Sequence, residues 1–293
     1  MANHMKKNKK PSLPFALKAI QFLYPKVEFI SSYLAAKWFI HLFFSPIKYK
    51  PTHKEIEALS RGKSYFIEVE NKKIHVCSWG EGRAVLAVHG WAGRGTQFRK
   101  MVEPLNKAGF KLVAIDGPAH GKSDGSKTEI REFSRVISAV YQQENACAII
   151  AHSFGGVASL YAISEGLQNK IQINIASPTI GEEIIQTFLK ALKASQDIGK
   201  RFRNYIIQKT GQPFEYFSAL SIIKRIPIEL NLLLVHDLAD PEVSIEHPKA
   251  LRSVYPPAEL LQTNGLGHNR ILKDDEVIQQ IVTFIRQKTS IEK

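Results

Sequence analysis

The segment from residue 146 to residue 163 constrains the fold of this chain more than any other part of the sequence. An apolar run, Ala-Cys-Ala-Ile-Ile, leads into Ala-His-Ser-Phe-Gly-Gly at 151–156 and then into a stretch typical of a helix start. This pattern predicts a strand, a sharp turn with Ser153 at its apex, and a helix. Ala151 and Gly155 flank the serine at two positions on each side, where larger side chains would collide with the neighbouring backbone. We therefore expect the Ser153 hydroxyl to be exposed above a sheet.

A serine hydroxyl is a weak nucleophile at neutral pH, so chemistry at Ser153 would need a base and an orienting carboxylate. The chain offers both after later strand candidates. Asp240 follows the apolar run 230–235, and His268 lies in a glycine-rich loop after the strand candidate 259–263. The order along the chain is therefore Ser, Asp, His.

Donors for an oxyanion are expected from two backbone N–H groups. The strand candidate 84–88 runs into His89-Gly90-Trp91, a junction at which the Trp91 N–H can point at a developing negative charge. The Phe154 N–H directly follows the serine at the predicted helix start, where the helix dipole also favours negative charge. We expect Trp91 and Phe154 to form the oxyanion hole.

On these residues the chain resembles the α/β-hydrolase superfamily, and within it the lid-bearing serine esterases and lipase-like members. The segment 116–123, Asp-Gly-Pro-Ala-His-Gly-Lys-Ser, is similar to that family's Asp-x-Pro-Gly-His-Gly-x-Ser turn. Ala151 and Ala119 stand where the family usually has glycine, but both are small and neither replaces a catalytic group. The resemblance runs from about residue 64 to the C-terminus. It implies an α/β fold with a mostly parallel twisted sheet, helices on both faces and a helical lid insertion.

The chain divides into an N-terminal extension, residues 1–63, and a hydrolase domain, residues 64–293, with the lid predicted at about 177–227. Residues 65–79 read as a hairpin, after which strand and helix patterns alternate, as parallel pairing requires. Further strands are expected near 84–89, 111–116, 146–152, 171–176, 229–236 and 258–263. Helices are expected near 96–108, 128–143, 154–165, 245–254 and 274–288, and within the lid near 181–194, 196–210 and 216–225.

The carboxylate that orients His268 is open to two interpretations, because Asp237 and Asp240 lie in the same loop. Asp237 directly follows the strand, where an aspartate more often caps the turn. Asp240 matches the spacing that the family resemblance implies, and we favour it. The other polar side chains near this edge are predicted to hold loops by hydrogen bonds rather than to act in catalysis. They are His89, Asp116, His120 and His152.

The N-terminal extension is basic and apolar. Its apolar runs at 15–23 and 29–44 predict a helical pair, but Lys18, Glu28, Lys37 and His41 keep either run from the roughly 18 uninterrupted apolar residues of a spanning helix. Three interpretations stay open: helices that pack on the hydrolase body, a peripheral membrane contact through residues 1–50, or a secretory signal. Lys18 and Pro25 argue against the signal, so we expect a cytoplasmic protein. Residues 1–10 are predicted to be disordered.

The net charge of +13 resembles that of a nucleic-acid-binding protein until it is divided along the chain. Residues 1–63 carry 12 Lys and Arg against 3 Asp and Glu, residues 177–227 carry 8 against 4, and the remainder carries 20 of each. The excess of positive charge is confined to residues 1–63 and 177–227, and no nucleic-acid recognition motif accompanies it, so no nucleic-acid partner is expected.

Cys77 and Cys147 suit reduced buried thiols, and no motif indicates a metal or another cofactor.

These observations predict a serine hydrolase that cleaves carboxylic esters through an acyl-enzyme intermediate, with a small ester or acyl compound as its substrate. Ser153 would attack, His268 would transfer the proton, and Asp240 would hold the imidazole. Thioesterase, acyltransferase and small-peptide hydrolase activities use the same triad and stay open. A non-catalytic binding protein on the same scaffold is the alternative from another class. The oligomeric state does not follow from the sequence.

Overall fold

The computed structural model describes residues 15–291, with the side chains of residues 18–290. The predicted disorder of residues 1–10 lies outside this range. One sheet of eight strands forms the centre, in the order β1-β2-β4-β3-β5-β6-β7-β8. The strands are β1 Lys63–Val69, β2 Lys72–Trp79, β3 Arg83–Val88, β4 Phe110–Ile115, β5 Ala146–His152, β6 Ile171–Ile175, β7 Asn231–Asp237 and β8 Glu259–Thr263. β2 runs antiparallel to β1 and β4, and all other neighbours are parallel.

Twelve α-helices are found within residues 15–291. They are α1 Phe15–Ile30, α2 Ser32–Phe44, α3 His53–Ser60, α4 Val102–Lys107, α5 Ile130–Gln143, α6 Phe154–Ser164, α7 Gly181–Leu192, α8 Gln196–Thr210, α9 Ala219–Ile222, α10 Glu246–Val254, α11 Gly267–Arg270 and α12 Asp275–Ile291. The mostly parallel sheet with helices confirms the predicted α/β fold class.

The central strands are almost continuously apolar because both faces of the sheet are covered. β5 reads Ala-Cys-Ala-Ile-Ile-Ala-His, and six of its seven residues are buried. Alternate residues of the strands enter two separate apolar cores. α5 and α6 contribute to the core that contains Leu86, and α4 and α12 contribute to the core that contains Val85.

Parallel pairing brings the loops after β3, β5, β7 and β8 to one edge of the sheet, which we call the carboxyl edge. The register aligns Val88 with Ala151 on β3 and β5, and Asp237 with Thr263 on β7 and β8. Every residue predicted to act in chemistry therefore follows the end of a strand at this edge.

Residues 181–225, between β6 and β7, form a helical layer that we call the cap. It consists of α7, α8, the short α9 and two 3-10 turns. The α1–α2 hairpin packs against it, with Phe39 fully buried between Phe188 and Phe202 at ring-centroid distances of 5.1 and 5.3 Å. The N-terminal helices thus pack on the rest of the chain, as one of the interpretations predicts.

Three expectations about helices differ from the structure. α1 continues through Pro25 to Ile30, so the chain reverses at Ser31. The helix expected at 96–108 is a 3-10 turn, Gly95–Met101, followed by the short α4. The segment 216–225 is broken into short turns around α9. Within residues 15–291, no helix combines the length and the apolar character needed to cross a membrane.

Candidate active site

Ser153 occupies a strained turn between β5 and α6. Its backbone angles are φ 52° and ψ −124°, a conformation that costs a non-glycine residue on the order of 1–3 kcal/mol. The Ser153 N–H donates to the Ile175 carbonyl at 2.9 Å, which holds the turn on the neighbouring strand. A Cβ at Gly155 would lie 2.5 Å from the His89 carbonyl oxygen, so glycine is required there. The predicted strand, turn and helix are all present.

Asp240 and His268 meet in the space between the β7 and β8 loops. His268 Nδ1 lies 2.8 Å from Asp240 Oδ2, and the carboxylate is fully buried. Asp240 Oδ1 also accepts hydrogen bonds from the N–H groups of Glu242 and Val243, at 2.8 and 3.1 Å. Burial raises the pKa of Asp240, but the hydrogen bond and charge of His268 and the two backbone donors outweigh it and lower the pKa. Asp240 is therefore ionised, and His268 carries its proton on Nδ1.

Asp237 has a different task. Its carboxylate accepts hydrogen bonds from the Thr263 hydroxyl at 2.7 Å and from the N–H groups of Ala239, Gly265 and Leu266 at 3.0, 3.2 and 2.9 Å. Thr263 is the last residue of β8, and the other three donors lie in the loops after β7 and β8. The structure therefore directs Asp240 to His268 and uses Asp237 to tie the two loops together.

Ser153 and His268 line the same cavity. With Nδ1 protonated, the Nε2 nitrogen of His268 keeps a lone pair that can accept a proton. The described residues include no hydrogen bond between the serine hydroxyl and this nitrogen, which is common before a substrate is bound. The structure thus brings all three predicted triad residues to one site.

The two predicted oxyanion donors adjoin the same cavity. Neither the Trp91 N–H nor the Phe154 N–H donates a hydrogen bond to another described residue. Their rings meet edge to face at a centroid distance of 5.5 Å. Both N–H groups are therefore free to bind a substrate oxygen, and that of Phe154 lies at the positive end of the α6 dipole.

Buried polar side chains hold the loop that carries Trp91. His120 Nε2 accepts from the Ala92 N–H at 3.1 Å, and its Nδ1 donates to the Pro118 carbonyl at 2.8 Å. Burial and the neighbouring His89 lower the pKa of His120 to about 3. The histidine is therefore neutral, as both hydrogen bonds require, and its role is to position the loop.

His89 and Asp116 also hold loops in place by hydrogen bonds. His89 Nδ1 donates to the Gly90 carbonyl at 2.7 Å, while its Nε2 accepts from the Gly117 N–H at 2.8 Å. Asp116 accepts from the Gly95 N–H and from His75 Nδ1, at 2.8 and 2.9 Å. Burial raises the pKa of Asp116, but these hydrogen bonds and one from the Lys122 N–H lower it strongly. The structure places both residues as loop supports.

His152 contacts the proposed base directly, which the sequence pattern did not reveal. Its Nε2 donates to the His268 carbonyl at 2.9 Å, and the two rings lie 4.7 Å apart. Its Nδ1 is buried with no hydrogen-bond partner among the described residues. Burial and the nearby His268 lower the pKa of His152 to about 3, so the ring is neutral.

The cavity above Ser153 has a volume of about 310 Å³ and is lined mainly by apolar side chains. The cap supplies Ile184, Phe188, Ile206, Phe214 and Phe217, and α2 supplies Phe43 and Phe44. No sequence pattern indicated that α2 reaches this cavity, because α2 and the cap are more than 100 residues apart in the chain.

Charged groups lie at a few points of the cavity wall. His247 Nε2 donates to Glu183 of the cap at 3.0 Å, while its Nδ1 accepts from the Thr179 N–H at 2.9 Å. Glu242 Oε2 lies 3.7 Å from His268 Nε2. None of these three side chains was predicted, and no motif marks them. Within residues 15–291, no group of three or more His, Cys, Asp or Glu side chains is arranged to hold a metal ion.

This geometry agrees with the outcome of sequence comparison. A sequence profile described as the alpha/beta hydrolase fold matches residues 83–222, which include Trp91, Ser153 and Phe154. Together with the mostly parallel sheet, this match shows that the chain has the α/β-hydrolase fold. The family resemblance inferred from the motifs is thereby confirmed.

Individual relatives match shorter stretches of the chain. A human protein named serine hydrolase-like protein is 34% identical over 90 residues, which cover 27% of this chain and 43% of the relative. A pimeloyl-[acyl-carrier protein] methyl ester esterase of Xanthomonas campestris is 30% identical over 104 residues, 36% of this chain and 40% of the relative. The chain thus spans less than half the length of either curated relative.

Solved structures share the fold over a larger part of the chain. An esterase of Pyrococcus furiosus superposes with a TM-score of 0.63 at 19% sequence identity, covering 83% of this chain and 98% of that one. At this identity the similarity concerns the fold alone.

Proposed function

We propose that this α/β hydrolase is a serine hydrolase that cleaves carboxylic esters of apolar acyl groups through an acyl-enzyme intermediate. One observation carries the proposal. His268 is held by the buried Asp240 at 2.8 Å and lines the same cavity as Ser153, which stands on a strained turn. A strained backbone conformation at a serine in such a turn is typical of a residue whose side chain acts in catalysis.

In the first half of the reaction Ser153 Oγ attacks the ester carbonyl carbon while His268 Nε2 takes the hydroxyl proton. The carbonyl oxygen becomes an oxyanion and accepts hydrogen bonds from the Trp91 and Phe154 N–H groups. When the tetrahedral intermediate collapses, the bond to the alcohol oxygen breaks and His268 gives its proton to the leaving alcohol. The acyl group is then bonded to Ser153.

In the second half a water molecule attacks the acyl carbon, and His268 Nε2 takes one of its protons. Collapse of the second tetrahedral intermediate releases the carboxylic acid and returns the proton to Ser153 Oγ. Asp240 stays ionised throughout, holds the Nδ1 proton and stabilises the imidazolium that forms in each half. The lowered pKa of Asp240 suits this role.

The cavity supports an apolar acyl group as the part of the substrate that is bound. Phe43, Phe188 and Phe214 lie on its wall, and burying an acyl chain against them is favourable at about 0.8 kcal/mol per methylene. We propose that the cap acts as the lid predicted at 177–227 and selects among acyl groups. The relationship to a methyl ester esterase supports an ester as the bond that is cleaved.

The alternatives use the same acyl-enzyme and differ in the leaving group or in the acceptor. Thioester and amide substrates replace the alcohol by a thiol or an amine, and an acyltransferase replaces water by another nucleophile. The non-catalytic alternative keeps the cavity and predicts binding without turnover. Comparison of leaving groups at a constant acyl group separates ester, thioester and amide hydrolysis from one another and from binding without turnover.

The test uses p-nitrophenyl esters from acetate to dodecanoate, with a thioester and a p-nitroanilide of one acyl group. We expect ester hydrolysis with an initial burst of about one nitrophenolate per active site, and a kcat/KM that rises with acyl length until the cavity is filled. A thioester kcat/KM about tenfold or more above that of the matching ester would favour the thioesterase instead. Folded protein that turns over none of the three classes would support the non-catalytic alternative.

A further inference from the structure

The α1–α2 hairpin has one buried side and one exposed side. On the buried side, Tyr24 stacks on Trp38 at 5.4 Å and donates its hydroxyl to the Ala35 carbonyl at 2.8 Å. On the same side of the hairpin, Phe39 and Phe43 pack against Phe202 of the cap. These contacts fix the hairpin on the molecule, so its other side has a defined orientation toward solvent.

The exposed side carries an unusual concentration of large apolar residues. Six of the thirteen exposed large apolar side chains among the described residues fall between residues 22 and 34. They form a set that we call the tip patch: Phe22, Leu23, Phe29, Ile30, Tyr33 and Leu34. Phe29 is 93% exposed and Ile30 is 80% exposed, at the point where the chain reverses between the helices. Apolar side chains gathered in this way mark an interaction surface.

Lysines are interleaved with the tip patch. Lys26 Nζ lies 3.7 Å from the centre of the Phe22 ring, and Lys37 Nζ lies 4.4 Å from that of Tyr33. The only Asp or Glu among residues 1–50 is Glu28, whose carboxylate accepts a hydrogen bond from the Ser195 N–H of the cap. The charged side chains beside the tip patch are Lys26, Glu28 and Lys37, so the net charge there is positive.

We propose that the tip patch docks onto an anionic lipid bilayer, with Phe29 and Ile30 inserted at the boundary between head groups and acyl chains. Aromatic and aliphatic side chains with lysines beside them match that boundary, where rings enter the apolar layer and ammonium groups stay at the phosphates. The core of a protein interface is instead depleted of lysine, because docking would strip water from the ammonium groups. The arrangement at the tip patch therefore favours a lipid surface over a protein partner or a second copy of the chain.

The hairpin also connects this surface with the cavity. α2 has 13 residues, about 20 Å of helix, with Tyr33 and Leu34 at one end and the cavity-lining Phe43 and Phe44 at the other. A bilayer at the tip patch would thus lie within about one helix length of the cavity. If the proposed ester hydrolysis is correct, the docked enzyme would act on esters dissolved in the bilayer. The docking itself does not depend on that activity.

The experiment measures co-sedimentation of the full-length chain with vesicles of phosphatidylcholine alone or mixed equally with phosphatidylglycerol. We expect binding to the mixed vesicles at low salt and release at high salt, where the screening length falls to about 3 Å. Phe29→Ser with Ile30→Ser should weaken partitioning about tenfold or more, because both side chains supply the inserted area. Lys26→Gln with Lys37→Gln should weaken it at low salt by about fivefold for each lysine.

Matched controls change the same residue types elsewhere on the surface. Ile56→Ser with Phe66→Ser removes one isoleucine and one phenylalanine, each 52% exposed, and should bind vesicles like the wild type. Melting temperatures measured on every variant show that the fold is retained. Absence of wild-type binding to the mixed vesicles would overturn the proposal, and so would equal binding by the Phe29 and Ile30 variant. A dimer that forms without vesicles and is lost in that variant would instead assign the patch to self-association.

Discussion

The carboxyl edge of the sheet and the cap above it are held together in different ways. At the carboxyl edge, side chains such as His120, Asp116 and Asp237 accept hydrogen bonds from particular backbone N–H groups. The cap is held by apolar packing against the α1–α2 hairpin, where Phe43 and Phe202 pack ring against ring at 4.5 Å. A hydrogen-bonded loop has one geometry, whereas packed rings tolerate other arrangements of similar volume.

This difference separates the two tasks of the molecule. The carboxyl edge positions reacting groups, so a change there should alter the rate of reaction. The cap shapes the cavity and covers it, so a change there should alter stability and the choice of acyl group. The predictions below test that separation, from the largest expected effect to the smallest.

Ser153→Ala should lower ester hydrolysis by about a hundred-thousandfold or more, because the proposed nucleophile is lost. The melting temperature should stay near that of the wild type, since the Ser153 side chain lines the cavity and its shortening leaves no new void in the core. Ser164→Ala, a change of the same size at the far end of α6 and away from the cavity, is the matched control. Near-normal ester hydrolysis by the Ser153 variant would show that the reaction does not take place at the carboxyl edge.

Asp240→Asn should lower kcat about a thousandfold or more, because an amide stabilises the wrong tautomer of His268. Asp237→Asn tests the neighbouring carboxylate. It should leave kcat within about tenfold of the wild type but cost on the order of 1–3 kcal/mol of stability, since its backbone donors lose a charged acceptor. If Asp237→Asn lost activity while Asp240→Asn kept it, Asp237 and not Asp240 would be the carboxylate that orients His268.

Phe39→Ala should lower the free energy of unfolding by about 3 kcal/mol or more, because this fully buried ring joins the hairpin to the cap. Turnover of a p-nitrophenyl acetate should change less than about threefold, since the carboxyl edge is not touched. Phe29→Ala removes an exposed ring from the same hairpin and should change stability by less than about 0.5 kcal/mol. Chemical denaturation of the three proteins measures both differences.

Acid should destabilise the carboxyl edge through its buried neutral histidines. The pKa of His120 and of His152 is about 3 in the folded chain, against an ordinary value of 6.5. The unfolded chain therefore binds more protons between these values, and each histidine should cost about 1.4 kcal/mol of stability per pH unit as the pH falls through this window. Urea titrations at several pH values measure the slope.

A histidine variant identifies the source of that slope. His120→Gln should make it shallower by the share of one histidine. A wild-type stability that is flat from about pH 6.5 to about pH 5 would contradict buried neutral histidines at this edge.

The sequence predicted the carboxyl edge better than the cap for a physical reason. The turn at Ser153 and the loop role of Asp116 each follow from residue types at particular backbone positions. Asp240 was favoured over Asp237 as the partner of His268 by the spacing that the family resemblance implies. The contact of Phe43 and Phe44 with the cavity depends on how distant helices pack, and apolar side chains carry no local signal of their partner. For the same reason the sequence left open whether the N-terminal helices pack on the body.

Local sequence rules also did not predict where α1 ends and α2 begins. Proline removes one helical hydrogen bond, yet α1 passes through Pro25 because Tyr24 beside it is buried against Trp38 and bonded to the Ala35 carbonyl. Tertiary packing thus outweighs the cost of the proline.

His152 was assigned only a loop role, because nothing near it in the sequence shows that it lies beside His268.

Labelling by a fluorophosphonate tests the central claim, that Ser153 is a nucleophile activated by His268, most directly. The reagent bonds covalently to an activated serine, and peptide mass spectrometry then locates the added phosphonyl group. The account predicts about one label per chain, on Ser153, with none on Ser153→Ala and much slower labelling of Asp240→Asn. Folded wild-type protein that takes up no label, or takes it up on another residue, would contradict the account.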